Sequence, residues 1–340
     1  MLGVGEKDEH GGRRITVLLA LAANIGVGLL KLAAGLLTGS AALLSEAAHS
    51  AGDCTTEIML LVALQRSERP ADRMHPFGYG KERYFWSLIA AGAIFVSGAA
   101  FSVYEGLHTI LGGGEGGTSL WINYPVLALA AVLEGTSFTQ AIRQVRSTAR
   151  SSRRSLPSVV LEPDDPTTNS VALEDSTALI GLVVAALGVG LHQLTGSSVY
   201  DGIASLIIGA LLLVVAFVLA RACEGLLIGR QADVRLLRTI EQRLEQQDEI
   251  VDLVDVLTML IGAERVLLCI RADFVDSLTA GEVERACMRI DESLREEFPL
   301  LAEIFIQPVP REDRGLRDRV LARYGRALAD EQPEVGKPTA

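Results

Sequence analysis

The sequence predicts an α-helical membrane protein, with six transmembrane helices followed by a C-terminal cytoplasmic α+β domain. Three observations carry this expectation. Apolar residues make up 49% of the 340 and gather into long runs, which ordinary soluble domains lack. The connections between runs alternate between arginine-rich and free of lysine and arginine. After Gln231 the long runs give way to shorter helical and strand-like patterns.

The candidate spans are residues 15–37, 41–64, 85–110, 124–145, 167–195 and 200–228. Each supplies the roughly 20 residues needed to cross about 30 Å of hydrocarbon. Residues 1–14 are polar and form an N-terminal cytoplasmic segment. The first run lacks a small-residue cleavage site, so it is expected to be retained as a helix. Residues 15–230 then form the membrane domain. Residues 234–247 read as an amphipathic helix, 250–260 and 265–274 as strands, 280–298 as a helix and 302–309 as a last strand. In the second helix Val283, Ala286, Cys287, Ile290 and Leu294 share one face. Residues 231–310 are thus an α+β domain, and 311–340 a charged tail.

Loop charge sets the orientation. Arg13 and Arg14 precede the first span, five basic residues lie between spans two and three, and five arginines, Arg143, Arg146, Arg150, Arg153 and Arg154, run from the end of span four into the connection to five. Thr38 to Ser40, the glycine-rich loop at 111–119 and the 196–198 turn carry no lysine or arginine. This is the positive-inside pattern, with both termini in the cytoplasm. The net charge of −11 is misleading as a sign of solubility, because the acidic excess sits mostly after Arg230. No nucleic-acid partner is expected. The four cysteines, Cys54, Cys223, Cys269 and Cys287, have no C-x-x-C spacing. They indicate neither a disulfide framework nor a zinc finger and read as small apolar residues.

The second span carries the chemistry. Glu46, His49, Asp53 and Glu57 are three, four and four residues apart, and Ser45 shares their face. Such spacing stacks the groups on one side of a helix. A stripe this dense at membrane depth marks an ion pathway more than a packing seam. In the fifth span Glu174 and Asp175 are adjacent, so their side chains point about 100° apart. They lie two turns beyond Pro166, too far in for a capping role. Glu134 falls mid-span in the fourth run beside Thr136 and Ser137. It is either a proton relay or an added coordinating group, or the ion-pair partner of Lys31 in the first span. His108 and His192 read as interfacial histidines. In the loop before the third span, Asp72 and His75 are a candidate minor metal site, weighed against a loop shaped by its prolines and glycines.

His49-x-x-x-Asp53 in the second span, followed by His75-Pro76-Phe77-Gly78-Tyr79-Gly80-Lys81, resembles the cation diffusion facilitator (cation efflux) family. Tyr200-Asp201-Gly202-Ile203-Ala204-Ser205-Leu206 in the sixth span fits the same family. Asp165-Pro166-x-x-Asn169 with Leu173-Glu174-Asp175 is similar, more narrowly, to the branch related to mammalian zinc transporter nine. The resemblance implies a homodimer, formed through the cytoplasmic and membrane domains, that exports divalent metal, usually zinc, in exchange for protons. It implies a ferredoxin-like, metallochaperone-like cytoplasmic domain. It implies a transport site with two ligands from the second span and two from the fifth. His49 and Asp53 match the first pair and Asp175 the last ligand. Val171 stands where many zinc exporters have histidine or aspartate, and Glu174 is the nearest substitute. Glu46, Glu57 and Glu134 are then proton-relay or accessory groups.

Imidazole with carboxylates suits zinc and its first-row neighbours. Metal binds only neutral imidazole, so protons and metal compete for the site, which is a basis for antiport. The missing histidine widens the choice to manganese, iron or cobalt. No prosthetic group is expected. No histidine follows His192, so the cytoplasmic domain is expected to dimerise with little metal sensing, with Cys269 and Cys287 in its core. A passive cation channel is disfavoured because the sequence offers no selectivity filter. A membrane enzyme is disfavoured because it has no H-E-x-x-H and no nucleophile–base pair. A bacterial plasma membrane is the expected location.

Overall fold

A computed structural model describes residues 5–112, 120–151, 166–263 and 265–310, together with residue 315. The expected tail at 311–340 and the end of the long connection at 152–165 therefore fall almost wholly outside the described residues. The chain divides into two compact units, Met1–Ile228 and Gly229–Ala340.

Among the described residues, the regular elements of the first unit are all helices. Helix α1 spans Gly5–Thr38 and α2 spans Ala41–Ser67. A tight turn joins them at Gly39, whose φ of 66° is a left-handed conformation suited to glycine. The next rod runs from α3 (Glu82–Ala93) through a π-helical stretch (Ile94–Ala100) into α4 (Phe101–Gly112). Ser97 Oγ donates to the Ala93 carbonyl at 2.7 Å inside this stretch, a side-chain bond of the kind that bends helices. Nothing in the apolar pattern of residues 85–110 had indicated the wider turn. Helix α5 spans Asn123–Ser151, so Arg143, Arg146 and Arg150 extend a helix where a connection was expected. Helices α6 (Pro166–Thr195) and α7 (Val199–Ile228) complete the unit.

Among the described residues, four rods are long and apolar enough to cross a membrane: Glu82–Gly112, Asn123–Ser147, Val171–Thr195 and Val199–Ile228. The apolar part of α1 among the described residues is shorter, Asn24–Thr38. Helix α2 has 27 residues, about 40 Å at 1.5 Å each, but its polar stripe lowers its hydropathy.

The unit is inverted relative to a water-soluble bundle. Leu29, Leu36, Val96, Val132, Val183, Leu187, Val214 and Phe217 are exposed, whereas Lys31, Glu46, His49, Glu174, His192 and Asp201 are buried. His192 is thus an interior residue and not the interfacial one expected, because Gly188 and its neighbours let α6 pack closely on α7 along that face.

Asp201 anchors the start of α2. It is fully buried and accepts hydrogen bonds from Ser40 Oγ at 2.9 Å and the Ala42 backbone N–H at 3.3 Å. Ser40 in turn caps α2 by accepting from the Leu43 N–H. One turn on, Ser45 Oγ and Ser205 Oγ are 2.6 Å apart, and Ser205 donates to the Ser102 carbonyl at 2.7 Å. A hydroxyl has one proton, so Ser45 is the donor of the pair. These bonds fix α2 against α7 and set the rotation of its polar stripe.

The second unit contains α8 (Val234–Glu245), β1 (Ile250–Gly262), β2 (Arg265–Phe274), α9 (Ala280–Glu297) and β3 (Leu301–Pro308). The sheet order is β1-β2-β3, with β1 antiparallel and β3 parallel to β2. Helix α9 is the crossover that the parallel pair requires, and Thr279 with Glu282 forms a capping box at its start. Val266, Leu268, Ile270, Ala272 and Phe274 alternate on the buried face of β2. Cys269 falls on the opposite, half-buried face, and Cys287 is half-buried on α9. Neither is the core residue expected: period-two alternation turns Cys269 away from Leu268 and Ile270, and Ala286, Ile290 and Leu294 form the buried line of α9.

Candidate functional site

The stripe on α2 divides into two groups. Its outer part meets α1 and α5 at a buried ion cluster. Lys31 Nζ lies 3.0 Å from Glu46 Oε2, 2.7 Å from Glu134 Oε1 and 3.1 Å from Ser50 Oγ. Lys31 and Glu46 are wholly buried. Of the two readings of Glu134, the ion pair with Lys31 is present. Glu46 is packed against α6 at Gly181, where an added Cβ would push on the Glu46 carboxyl.

The inner part of the stripe faces a chamber of about 50 Å³ between α1, α2, α5 and α6. Its walls include Asp53, Glu57, Glu134, Glu174 and Asp175, with Asn24, Ser50, Ser137 and Val171 between them. The adjacent Glu174 and Asp175 thus both reach one space. Asp175 accepts from Ser137 Oγ at 2.7 Å, and Glu57 accepts from Asn24 Nδ2 at 2.7 Å. His49 does not line the chamber but adjoins it through Asp53, with Nε2 3.4 Å from Asp53 Oδ1. Val171 does line it, packed beside Ala141, Val145 and Ala172. The position four residues before Asp175 therefore faces the same space but brings no donor atom.

Many of these groups are buried without a hydrogen-bond partner. They include both ring nitrogens of His49, Asp53 Oδ1, Glu57 Oε2, Glu134 Oε2 and Glu174 Oε1. Orphaned buried polar atoms are costly and call for a functional account. Among the described residues, no three His, Cys, Asp or Glu side chains stand at metal-binding spacing in this conformation. The chamber gathers donors on three helices without clamping them. The chamber wall carries five carboxyl groups beside a single lysine cluster.

Asp72 and His75 lie apart from this chamber, in the loop before α3. Asp72 Oδ1 accepts from the backbone N–H groups of Met74 at 2.9 Å and His75 at 2.7 Å, and Oδ2 accepts from Tyr79 Oη at 2.6 Å. The Tyr79 hydrogen bond, with that from the His75 backbone, holds the Asp72 carboxyl at a pKa of about 2. His75 Nδ1 is 3.5 Å from Asp72 Oδ1, and Arg69 sits 4.5 Å over the Tyr79 ring. The carboxylate is engaged in shaping the loop.

Sequence reasoning passed over Asn24, Ser50 and the role of Asp201. Asn24 and Lys31 are seven residues apart, which places both on one helical face. That spacing was the available signal that α1 faces the site.

A bundle that is apolar outside and lined inside with carboxylates defines an integral, multi-pass membrane protein with an interior suited to cations. The family model for the cation efflux transmembrane domain matches residues 17–227, and the chain belongs to this family of metal transporters, the cation diffusion facilitators, as a relative of zinc transporter nine. It is 34% identical over 245 residues to the human proton-coupled zinc antiporter SLC30A9, mitochondrial, covering 72% of this chain and 43% of that protein. It is 31% identical over 264 residues to metal tolerance protein C4 of Arabidopsis thaliana, covering 75% and 55%. To the magnetosome protein MamB of Magnetospirillum gryphiswaldense it is 24% identical over 304 residues, covering 88% and 95%. The matched region spans less than half the length of the human relative.

Proposed function

We propose that this protein exports zinc from the cytoplasm in exchange for protons, by alternating access of a site formed by His49, Asp53, Glu174 and Asp175. The observation that carries the proposal is the shared chamber: Asp53, Glu174 and Asp175 line one buried space, and His49 adjoins it with both ring nitrogens unpartnered. Neutral imidazole and ionised carboxylates bind metal, and the same groups bind protons when metal leaves. Glu57 and Glu46 are accessory proton-relay groups, and Glu57 is on the chamber wall. The printed names of the vertebrate relatives, proton-coupled zinc antiporters, agree with this exchange.

The proposal includes six spans, counting α1 and α2, with both termini on the cytoplasmic side. The arginine distribution supports that orientation. It also includes a homodimer and a bacterial plasma membrane, although the vertebrate relatives are named as mitochondrial. One imidazole among many carboxylates also suits manganese, iron or cobalt, which forms the alternative substrate set.

The test is metal uptake into reconstituted vesicles, comparing zinc, manganese, iron and cobalt under an imposed pH gradient. We expect saturable zinc uptake that collapses with the gradient and is lost in Asp53→Ala and Asp175→Ala. Normal transport by Asp53→Ala would show that the site is wrong, and uptake indifferent to the gradient would remove the proton coupling.

A further inference from the structure

In the Lys31 cluster one lysine meets two carboxyl groups, on α2 and α5. The two carboxylates differ in position. Glu46 is wholly buried against Gly181 and is not part of the chamber wall. Glu134 is part of the chamber wall. Its Oε1 is held at 2.7 Å by the ammonium, while its Oε2 is buried with no hydrogen-bond partner. Glu174 on the same wall is 7% exposed, and its Oε1 is likewise buried and unpartnered. Val171, also on that wall, has no donor atom to offer.

We infer that Glu134 coordinates the transported metal in place of the ligand absent at Val171, and that Lys31 is the positioning residue that orients it. The inference rests on the transport site proposed above. A carboxylate with one oxygen on a buried ammonium has a restricted orientation, and its second oxygen is left to serve as a donor. The three donors of the Lys31 ammonium are taken by Glu46, Glu134 Oε1 and Ser50, so Glu134 Oε2 is left free of the lysine. Supporting partners of this kind typically change metal affinity about 10- to 100-fold when removed. The coordinating set would then draw on α2, α5 and α6, with α1 as its brace. The competing account is that Lys31 only bolts α1, α2 and α5 together.

A charge-neutral variant separates the two. Lys31→Met with Glu46→Gln removes a cation and its counter-ion together, a replacement that buried ion pairs often tolerate. Glu134→Gln alone leaves the Lys31–Glu46 pair intact. Zinc affinity would be measured by titration calorimetry on the full chain in lipid nanodiscs. The visible absorption of bound cobalt would report the coordination geometry, which a bolting role would not alter. We expect Glu134→Gln to weaken zinc binding at least about 10-fold and change the cobalt spectrum. We expect the double variant to do the same, and the triple variant to add little, since the three groups act as a unit.

Parent-like binding and spectrum in Glu134→Gln would overturn the coordinating role. Parent-like binding and spectrum in the folded double variant would overturn the positioning role, and its failure to fold would overturn it in favour of the bolt. Asp53→Ala is the control. If it binds zinc like the parent, the transport-site reading itself fails. If it loses binding while Glu134→Gln does not, only the present inference fails.

Discussion

Val171 is the residue at which this site departs from the pattern its family implies. It is half-buried on the chamber wall, one helical turn before Asp175. Histidine there would add an imidazole on the Asp175 face of α6, and imidazole favours zinc over manganese. Val171→His is expected to raise the zinc-to-manganese affinity ratio at least about tenfold, or about 1.4 kcal/mol, read by titration of both metals. An unchanged ratio would place Val171 outside the coordination sphere. At this scale the sequence was informative about chemical type and less so about partnership. The spacing of Glu46, His49, Asp53 and Glu57 declared a polar stripe. That Glu46 turns to Lys31 while Asp53 faces the chamber depends on which helix packs against each turn, and tertiary contact carries that information. The half-buried positions of Cys269 and Cys287 followed the same rule.

Helix α2 is the element on which the site depends, and its rotation is fixed at its first turn. Asp201 on α7 holds Ser40 and the Ala42 N–H, and Ser205 holds Ser45. Removing the carboxylate leaves buried donors unsatisfied, which costs about 1–3 kcal/mol. Asp201→Ala is therefore expected to lower the melting temperature in detergent and to weaken zinc binding without touching the chamber, whereas Asp201→Asn should retain most of both. Equal stability in Asp201→Ala would show that α2 is held elsewhere. The long apolar runs made most helices legible, with boundaries shifted by a few residues. The π-helical stretch at Ile94–Ala100 was not legible, because apolar periodicity carries no signal for a widened turn. The extension of α5 to Ser151 was missed for a different reason: arginines favourable to a helix were read only as loop charge.

The whole membrane unit follows from one inversion, with apolar side chains outward and ionisable ones inward. Burying Lys31, Glu46, His49 and Glu174 in a bundle of this kind is expensive, so the fold commits its stability to holding a cation pathway. The alternation of basic connections supports the proposed orientation, and composition alone separated the helical unit from the unit that holds the sheet. The gathering of five carboxylates from three helices could not be read from any one segment.

The central claim is that the transported metal sits among His49, Asp53, Glu174 and Asp175. Zinc-edge X-ray absorption on the full chain loaded with one equivalent of zinc tests it most directly. The account predicts imidazole nitrogen with carboxylate oxygen and no sulfur, and loss of that signal in Asp53→Ala with Asp175→Ala. A sulfur-containing shell, or a spectrum unchanged by the double substitution, would contradict it.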